Sequence, residues 1–346
     1  MNNQSNVAEA YANGLSRLIA LYYQNEFQSF ISSTPDMLTP VESPEALFPS
    51  LPKLPREIFT QLIITDLVFK NKPELQISLD LVTDTKNFQS NDNVFTFCND
   101  YSLFPADIDD TGIGLAILVE TGTIELGIVH QIVDRMLNNV NEGGVFRVYF
   151  PPYGHRAYVD PVVCVNGLYL FALSGREKEA QKTVDYVLEY LRSQAYLEGT
   201  RMYPSPDIFL YFLARLINAS THFRKIFEDQ IKQALETRIG TTQLPLDLAV
   251  RTITAKVVGI SNDLEEQELI LSQNGSGGWP ANTFFEFHRR HGFFGCEALT
   301  TAFAVKALET PALYEQVLWS YDYSNFIEIY NPTFIWDTMN VHTWNR

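Results

Sequence analysis

The chain is short of cysteine, of basic residues and of long apolar runs, and each shortage removes a class of function. Three cysteines, Cys98, Cys164 and Cys296, lie far apart in 346 residues with no CxxC pair. That excludes a disulfide framework and a cysteine-rich zinc site. They read as reduced, buried thiols of a cytosolic protein. Lys and Arg number 25 against 41 Asp and Glu, giving a formal charge of −16. A duplex nucleic-acid binder needs a basic stripe to displace counterions, so no nucleic-acid partner is expected. An anionic membrane suits so acidic a chain poorly. No stretch approaches the roughly 18 apolar residues of a membrane span. Met1–Glu9 lacks the basic start and apolar core of a signal peptide. The expectation is a cytoplasmic protein whose membrane contact is limited to peripheral docking for substrate uptake.

Aromatic residues, by contrast, are plentiful. With 24 Phe, 17 Tyr and 4 Trp they make 13% of the chain, more ring surface than a core usually needs, so part of it is expected to line a cavity. Six segments share one kind of helix start, in which Pro, Asp or Glu opens an apolar run. Glu57, Asp110, Asp160, Asp207, Asp247 and Glu297 mark them, at steps of 53, 50, 47, 40 and 50 residues. That period suits a helical-hairpin repeat. Apolar helices such as 160–173 and 207–217 alternate with amphipathic ones such as 177–194 and 223–237, which predicts inner and outer layers. Six such pairs close into an all-α (α/α)6 barrel, read as one domain over residues 1–346. The pattern is weakest before residue 100. There Leu75–Val82 alternates like a short strand, 87–99 reads as loop, and 34–55, with six prolines, reads as irregular. A helix over about residues 6–31 is expected to supply the remaining outer element.

The string richest in chemistry is Asp107-Ile108-Asp109-Asp110-Thr111. Three carboxyls within four residues repel one another, so near a buried helix start at least one should keep its proton at neutral pH. Such a group can act as a proton donor, and the N–H groups of the helix start would stabilise the anion it leaves. The structural alternative is a capping cluster on a solvated helix start, with Asp110 as the cap. The residues alone leave both open.

DxDDT resembles the signature of class II terpene cyclases, the family that includes the squalene–hopene and copalyl diphosphate cyclases. Gln273-Asn274-Gly275-Ser276-Gly277-Gly278-Trp279 is similar to the core of that family's QW repeat, Q-x-x-x-G-x-W. Residues 159–163 with Asn166, 203–207 and 298–302 look like bacterial members. The resemblance covers about residues 100–310. It implies protonation-initiated cyclisation of a polyprenyl chain, an intramolecular isomerase reaction. The middle aspartate, Asp109, would give its proton to a terminal alkene, and carbocations would then pass along the folded chain. Two departures matter. Members usually carry two toroid domains, and this chain has room for one. The DDxxD metal motif is absent, since Thr111, Gly112 and Ile113 follow Asp109-Asp110. The single-domain form is similar to cyanobacterial members that cyclise a prenylated dihydroxybenzoate. The implied substrate is therefore a prenylated aromatic acid giving a meroterpenoid, with no required cofactor and no metal site. Mg²⁺ enters only if the substrate carries a diphosphate, as in drimenyl- or copalyl-type cyclisation.

On that resemblance Asp107 and Asp110 orient Asp109 and raise its pKa. Tyr153, His155 and Tyr158 lie in the loop before the next apolar helix. The two tyrosines would face substrate, and His155 would hydrogen-bond Asp109; an exposed loop histidine is the alternative. Aromatic faces suit the reaction because they attract cations yet resist alkylation. Gln273 and Trp279 are structural, and Asp160 and Asn166 are framework positions, a cap and a hydrogen bond. His288, Arg289, Arg290 and His291 form the densest basic group, amid Phe284, Phe285, Phe287, Phe293 and Phe294. They suit a channel mouth where Arg289 and Arg290 pair with an anionic head and Phe294 meets the chain. The alternative is a solvated helix face over a core edge. Phe334 and Trp336 are expected to fold over the barrel mouth, with Asp337 or His342, or else a bound water, taking the final proton.

Three other readings fit less well. A glycan-processing (α/α)6 enzyme takes its two acids from separate loops several ångströms apart, unlike adjacent Asp109 and Asp110. A non-catalytic lipid-binding toroid has no need of a buried acid triplet. The prenyltransferase toroid binds zinc through Asp, Cys and His, and no such set is evident.

Overall fold

Helix starts in this chain are written by carboxylates, serines and prolines, and these fix the architecture. The computed structural model describes residues 3–25, 27–32, 57–98, 104–152, 157–287, 292–310 and 313. In chain order its α-helices are α1 (Asn3–Tyr23), α2 (Phe59–Ile64, continued by a π-helical turn Thr65–Phe69), α3 (Gln76–Phe88), α4 (Ile108–Glu120), α5 (Leu126–Leu137), α6 (Pro161–Leu173), α7 (Gln181–Arg192), α8 (Pro206–Ala219), α9 (Thr221–Arg238), α10 (Pro245–Val258), α11 (Asp263–Leu271) and α12 (Glu297–Leu308). The even-numbered helices are apolar and buried, and each packs on the next. α2 touches α4, α4 touches α6, and so on round to α12, which returns to α2. The odd-numbered helices lie outside them: α9 covers α8, α1 covers α12, and α7 covers α6. This is the expected (α/α)6 barrel, and its inner helices begin at or beside all six markers.

The caps have local causes. Asp160 accepts from the N–H groups of Val162 (2.9 Å) and Val163 (3.4 Å), and Pro161 opens α6. Ser205 accepts from Asp207 N at 3.3 Å, and Pro206 opens α8. Each cap satisfies donors that have no partner inside the helix. At α4 the cap is Asp107, which accepts from Asp110 N at 2.8 Å, rather than Asp110. The starts of neighbouring inner helices also bond to each other, as between Ser205 Oγ and Asp247 Oδ1 (2.7 Å), so these helices run in the same direction. The far end is closed by a charged cluster from the other ends of the helices. Arg215 grips both carboxylate oxygens of Asp66 at 2.9 Å and lies 3.7 Å above the Tyr169 ring. Lys70 pairs with Asp66 (2.9 Å) and with Glu120. Burial alone would raise Asp66, but Arg215 and Lys70 override it and hold the carboxyl well below its usual range.

A small antiparallel sheet of order β1-β3-β2 joins β1 (Phe30–Ser32), β2 (Phe285–Phe287) and β3 (Gly292–Gly295). Phe30 is paired with Gly295, and Phe285 with Phe294. The aromatic run near residue 290 therefore contributes strands rather than a helix face. Two further expectations need correction. Residues 75–82 are not a strand, because Ile77, Leu81 and Thr85 recur every four residues and are buried on one face of α3. The first helix ends at Tyr23 rather than near residue 31. Gln273 and Trp279 are structural, as expected. The Gln273 amide donates to Ala10 O (2.9 Å) and Gly277 O (2.8 Å), and the buried Trp279 donates to Leu269 O (2.7 Å). Together they tie α1 to the turn before α12. All three cysteines are buried and none is in a disulfide, and burial pushes the Cys296 thiol up to about 12. By compactness, Met1–Leu308 is one unit and Glu309–Arg346 a second.

Candidate active site

The DxDDT segment is anchored on both flanks before its side chains do any chemistry. Asp107 N donates to Phe95 O (3.2 Å), Ile108 N to Val148 O (2.8 Å), and Thr111 Oγ1 accepts from Phe95 N (3.0 Å). These bonds bring Asp109 to the first turn of α4, only 8% exposed. Each of its oxygens accepts one hydrogen bond. Asn166 Nδ2, from α6, donates to Oδ1 at 2.6 Å, and Tyr203 OH, from the segment before α8, donates to Oδ2. A carboxyl oxygen has two lone-pair directions, so each keeps one free to carry the acid proton. Asn166 reaches Asp109 because α4 and α6 approach closely at Gly112, where a Cβ would stand 2.8 Å from the Asn166 carbonyl oxygen. Tyr203 is set by the turn from Gly199, whose φ of +69° is left-handed and whose added Cβ would meet Pro204 O at 2.5 Å. Asp160 also helps, because its second oxygen accepts from Met202 N at 3.1 Å.

Burial makes Asp109 a neutral acid. It raises the carboxyl to about 8; the Tyr203 and Asn166 hydrogen bonds pull it down, while the charges of Asp107 and Asp160 push it up. The two donors stabilise the carboxylate that remains after a proton leaves, so the acid is kept protonated yet able to let go. Asp107 and Asp110 are likewise raised, chiefly by burial. Asp110 stands well above its usual range, through burial first and then the neighbouring charge of Asp107.

Asp109 opens on a cavity with about 430 Å³ of empty space, the part open to solvent included. Phe59, Phe97, Phe104, Tyr149, Tyr203 and Phe285 supply its aromatic wall, and Val148, Val163 and Met202 the aliphatic part. Of the lining residues only Phe104 and Met202 are half-exposed, so the cavity wall reaches solvent at these two. Phe285 stacks on Phe294 at 4.7 Å between ring centroids and meets Phe59 and Phe97 edge-on at 5.7 Å each. The wall is thereby held from behind.

Asp107, Asp109 and Asp110 are brought together on the cavity, as the sequence leads one to expect. Phe294 is buried behind Phe285 and does not line it. Tyr158 stands one layer out, edge-on to Tyr149 at 5.7 Å. Tyr153, His155, His288, Arg289, Arg290, His291, Phe334, Trp336, Asp337 and His342 lie outside the described residues. The sequence does not single out the direct partners of Asp109: Asn166 reads there as a framework position, and Tyr203 only as part of the family-like stretch 203–207. Their signal was present in the family-like stretches 159–166 and 203–207, but nothing local says that either points at Asp109. Among the described residues no group of three or more His, Cys, Asp or Glu could hold a metal ion, and no helix is long and apolar enough to cross a membrane.

A helical toroid with a buried, neutral aspartic acid over an aromatic cavity defines a class of protein, and the comparisons place the chain beside it. Residues 53–174 match the family model for the sesquiterpene cyclase astC-like C-terminal domain. Drimenol cyclase drtB of Aspergillus calidoustus is 30% identical over 211 residues, 59% of this chain and 38% of that protein; the chain thus spans well under half the length of this curated relative. Among solved structures, type II terpene cyclase MstE from Scytonema, free of ligand, superposes with a TM-score of 0.61 at 12% identity, covering 88% of this chain and 97% of that one. A variant of MstE in complex with its substrate, geranylgeranyl dihydroxybenzoate, gives the same TM-score and coverage. The fold is that of MstE. The family model and the curated relative are both of cyclases, and the solved structures show the fold.

Proposed function

We propose that this chain is a class II cyclase that bicyclises a linear, farnesyl-length polyene, with Asp109 as the proton donor. The observation that carries the reading is the Asp109 carboxyl, protonated by burial, bonded to Asn166 and Tyr203, and facing the aromatic cavity. The Asp109 O–H bond breaks as its proton forms a C–H bond with the terminal alkene. The tertiary cation is then attacked by the next double bond, and so along the chain until a proton is lost. Phe59, Phe97 and Phe285 present ring faces to the moving charge, and a largely apolar lining limits the water that could quench it. Asp107 and Asp110 tune Asp109, and its raised pKa favours reprotonation after each turnover. No metal takes part in the proton-transfer step; Mg²⁺ would serve only to bind a diphosphate head.

Chain length is argued from the 30% relative, which is a drimenol cyclase. A second reading, a prenylated aromatic acid, is favoured by the fold match to MstE along 97% of that chain. Incubation with farnesyl diphosphate, geranylgeranyl diphosphate and geranylgeranyl dihydroxybenzoate, with products resolved by mass spectrometry and NMR, decides between them. A bicyclic product from the farnesyl chain is expected; cyclisation of the benzoate alone would give the second reading.

A further inference from the structure

Arg201 has no acidic partner among the described residues of a strongly acidic chain. Most other half-buried or buried arginines are engaged by carboxylates, as with Arg17 and Glu297, Arg215 and Asp66, or Arg238 and Asp207. Among the described residues no carboxylate pairs with Arg201. Its guanidinium instead lies 4.0 Å from the centre of the Tyr158 ring. Tyr158 stands edge-on to Tyr149, with the two hydroxyls 3.4 Å apart, and Tyr149 lines the cavity. Met202, the next residue after Arg201, is one of the two half-exposed lining residues. The backbone here is fixed. Met202 N donates to Asp160 Oδ2, Met202 O accepts from Glu286 N (2.8 Å), and Thr200 N donates to Tyr203 O (2.7 Å).

We propose that Arg201, held over Tyr158 and next in sequence to the cavity-lining Met202, is the residue that binds an anionic head group of the substrate, a carboxylate or a diphosphate. The proposal rests on the cyclase reading above and names the chemistry of the substrate's other end. A guanidinium stacked on a ring keeps its N–H edge free, and that edge fits two oxygens of one oxyanion. Holding it by a ring rather than a carboxylate leaves its charge unneutralised, which is what an anion site needs and a structural ion pair does not. Met202 and Tyr203 follow directly, so the segment that would grip the head also carries the hydroxyl that holds Asp109.

The test uses the full chain carrying Asp109→Asn, in which the ligand stays intact, and compares it with the same chain also carrying Arg201→Ala or Arg201→Lys. Titration calorimetry with farnesyl diphosphate, geranylgeranyl dihydroxybenzoate and the neutral farnesol reads the head group directly, and melting curves check the fold of each variant. Arg201→Ala is expected to weaken the anionic ligand that binds by about 10-fold or more and to leave farnesol within about twofold; Arg201→Lys should restore part of the loss. Which anion binds identifies the source of the head group. Unchanged anion binding, or an equal loss for farnesol, overturns the role of Arg201 while the cyclase reading stands. Failure of Asp109→Asn to bind any of the three chains, before Arg201 is touched, contradicts the cyclase reading itself.

Discussion

At the scale of single residues, Asp109 ties activity and stability to pH in opposite ways from an ordinary surface carboxylate. Its carboxyl titrates near 8 in the folded chain against roughly 3.9 when unfolded. Between those values the folded chain holds a proton that the unfolded chain has released, so stability falls as pH rises from about 4 to about 8. Asp109→Asn removes that slope, and its melting temperature should gain on the wild type as pH goes from 5 to 8; parallel melting curves would contradict the assignment. Turnover needs the protonated form and should fall as pH rises through about 8. Tyr203→Phe deletes a bond that stabilises the carboxylate, so it should move the alkaline limb of the pH–rate profile upward. It should also lower kcat by about 10- to 100-fold, because the departing anion loses a donor. A kcat loss with an unmoved pH profile would make Tyr203 a packing residue.

At the scale of elements, the close approach of α4 and α6 decides whether the acid has its partner. Gly112→Ala puts a Cβ against the backbone of Asn166, which cannot swing aside. Urea unfolding should show a loss of about 1–3 kcal/mol, and kcat should drop with it as Asn166 moves off Asp109. Full activity with lowered stability would mean that the Asn166 bond is dispensable. The same elements show why part of the site was legible in the sequence. Helix starts are local signals, so Pro161, Pro206, Pro245 and the carboxylates beside them could be read one by one. Asp109 was legible because three acids crowd within four residues. Asn166 and Tyr203 lie 57 and 94 residues away in sequence, and contacts of that kind arise only when the ring of inner helices closes. Residues 75–82 misled because Leu75, Ile77 and Leu81 mimic a strand's alternation, while it is α4 and the π-helical turn, packed against α3, that settle which face is buried. The small sheet was missed because its strands are three or four residues long, too short for a period to register.

At the scale of the whole molecule, a barrel whose inner helices share one direction has two unlike ends. One gathers the buried acids and the cavity, and the other is locked by Asp66, Arg215, Lys70 and Glu120. On the proposed reading, chemistry at the open end begins with a protein-held proton and would not call on a metal. Turnover of geranylgeranyl dihydroxybenzoate, if it occurs, should survive EDTA, whereas a diphosphate chain should show an Mg²⁺ effect on KM rather than on kcat. Loss of kcat on chelation with the benzoate would point to ionisation chemistry instead. The central claim, that Asp109 protonates a bound polyene, is tested most directly by turnover in D₂O. Wild type with farnesyl diphosphate should yield a cyclic product carrying a single deuterium at the former terminal alkene, and Asp109→Asn, folded and binding the chain, should yield none. A cyclic product without deuterium, or undiminished cyclisation by Asp109→Asn, would contradict the account.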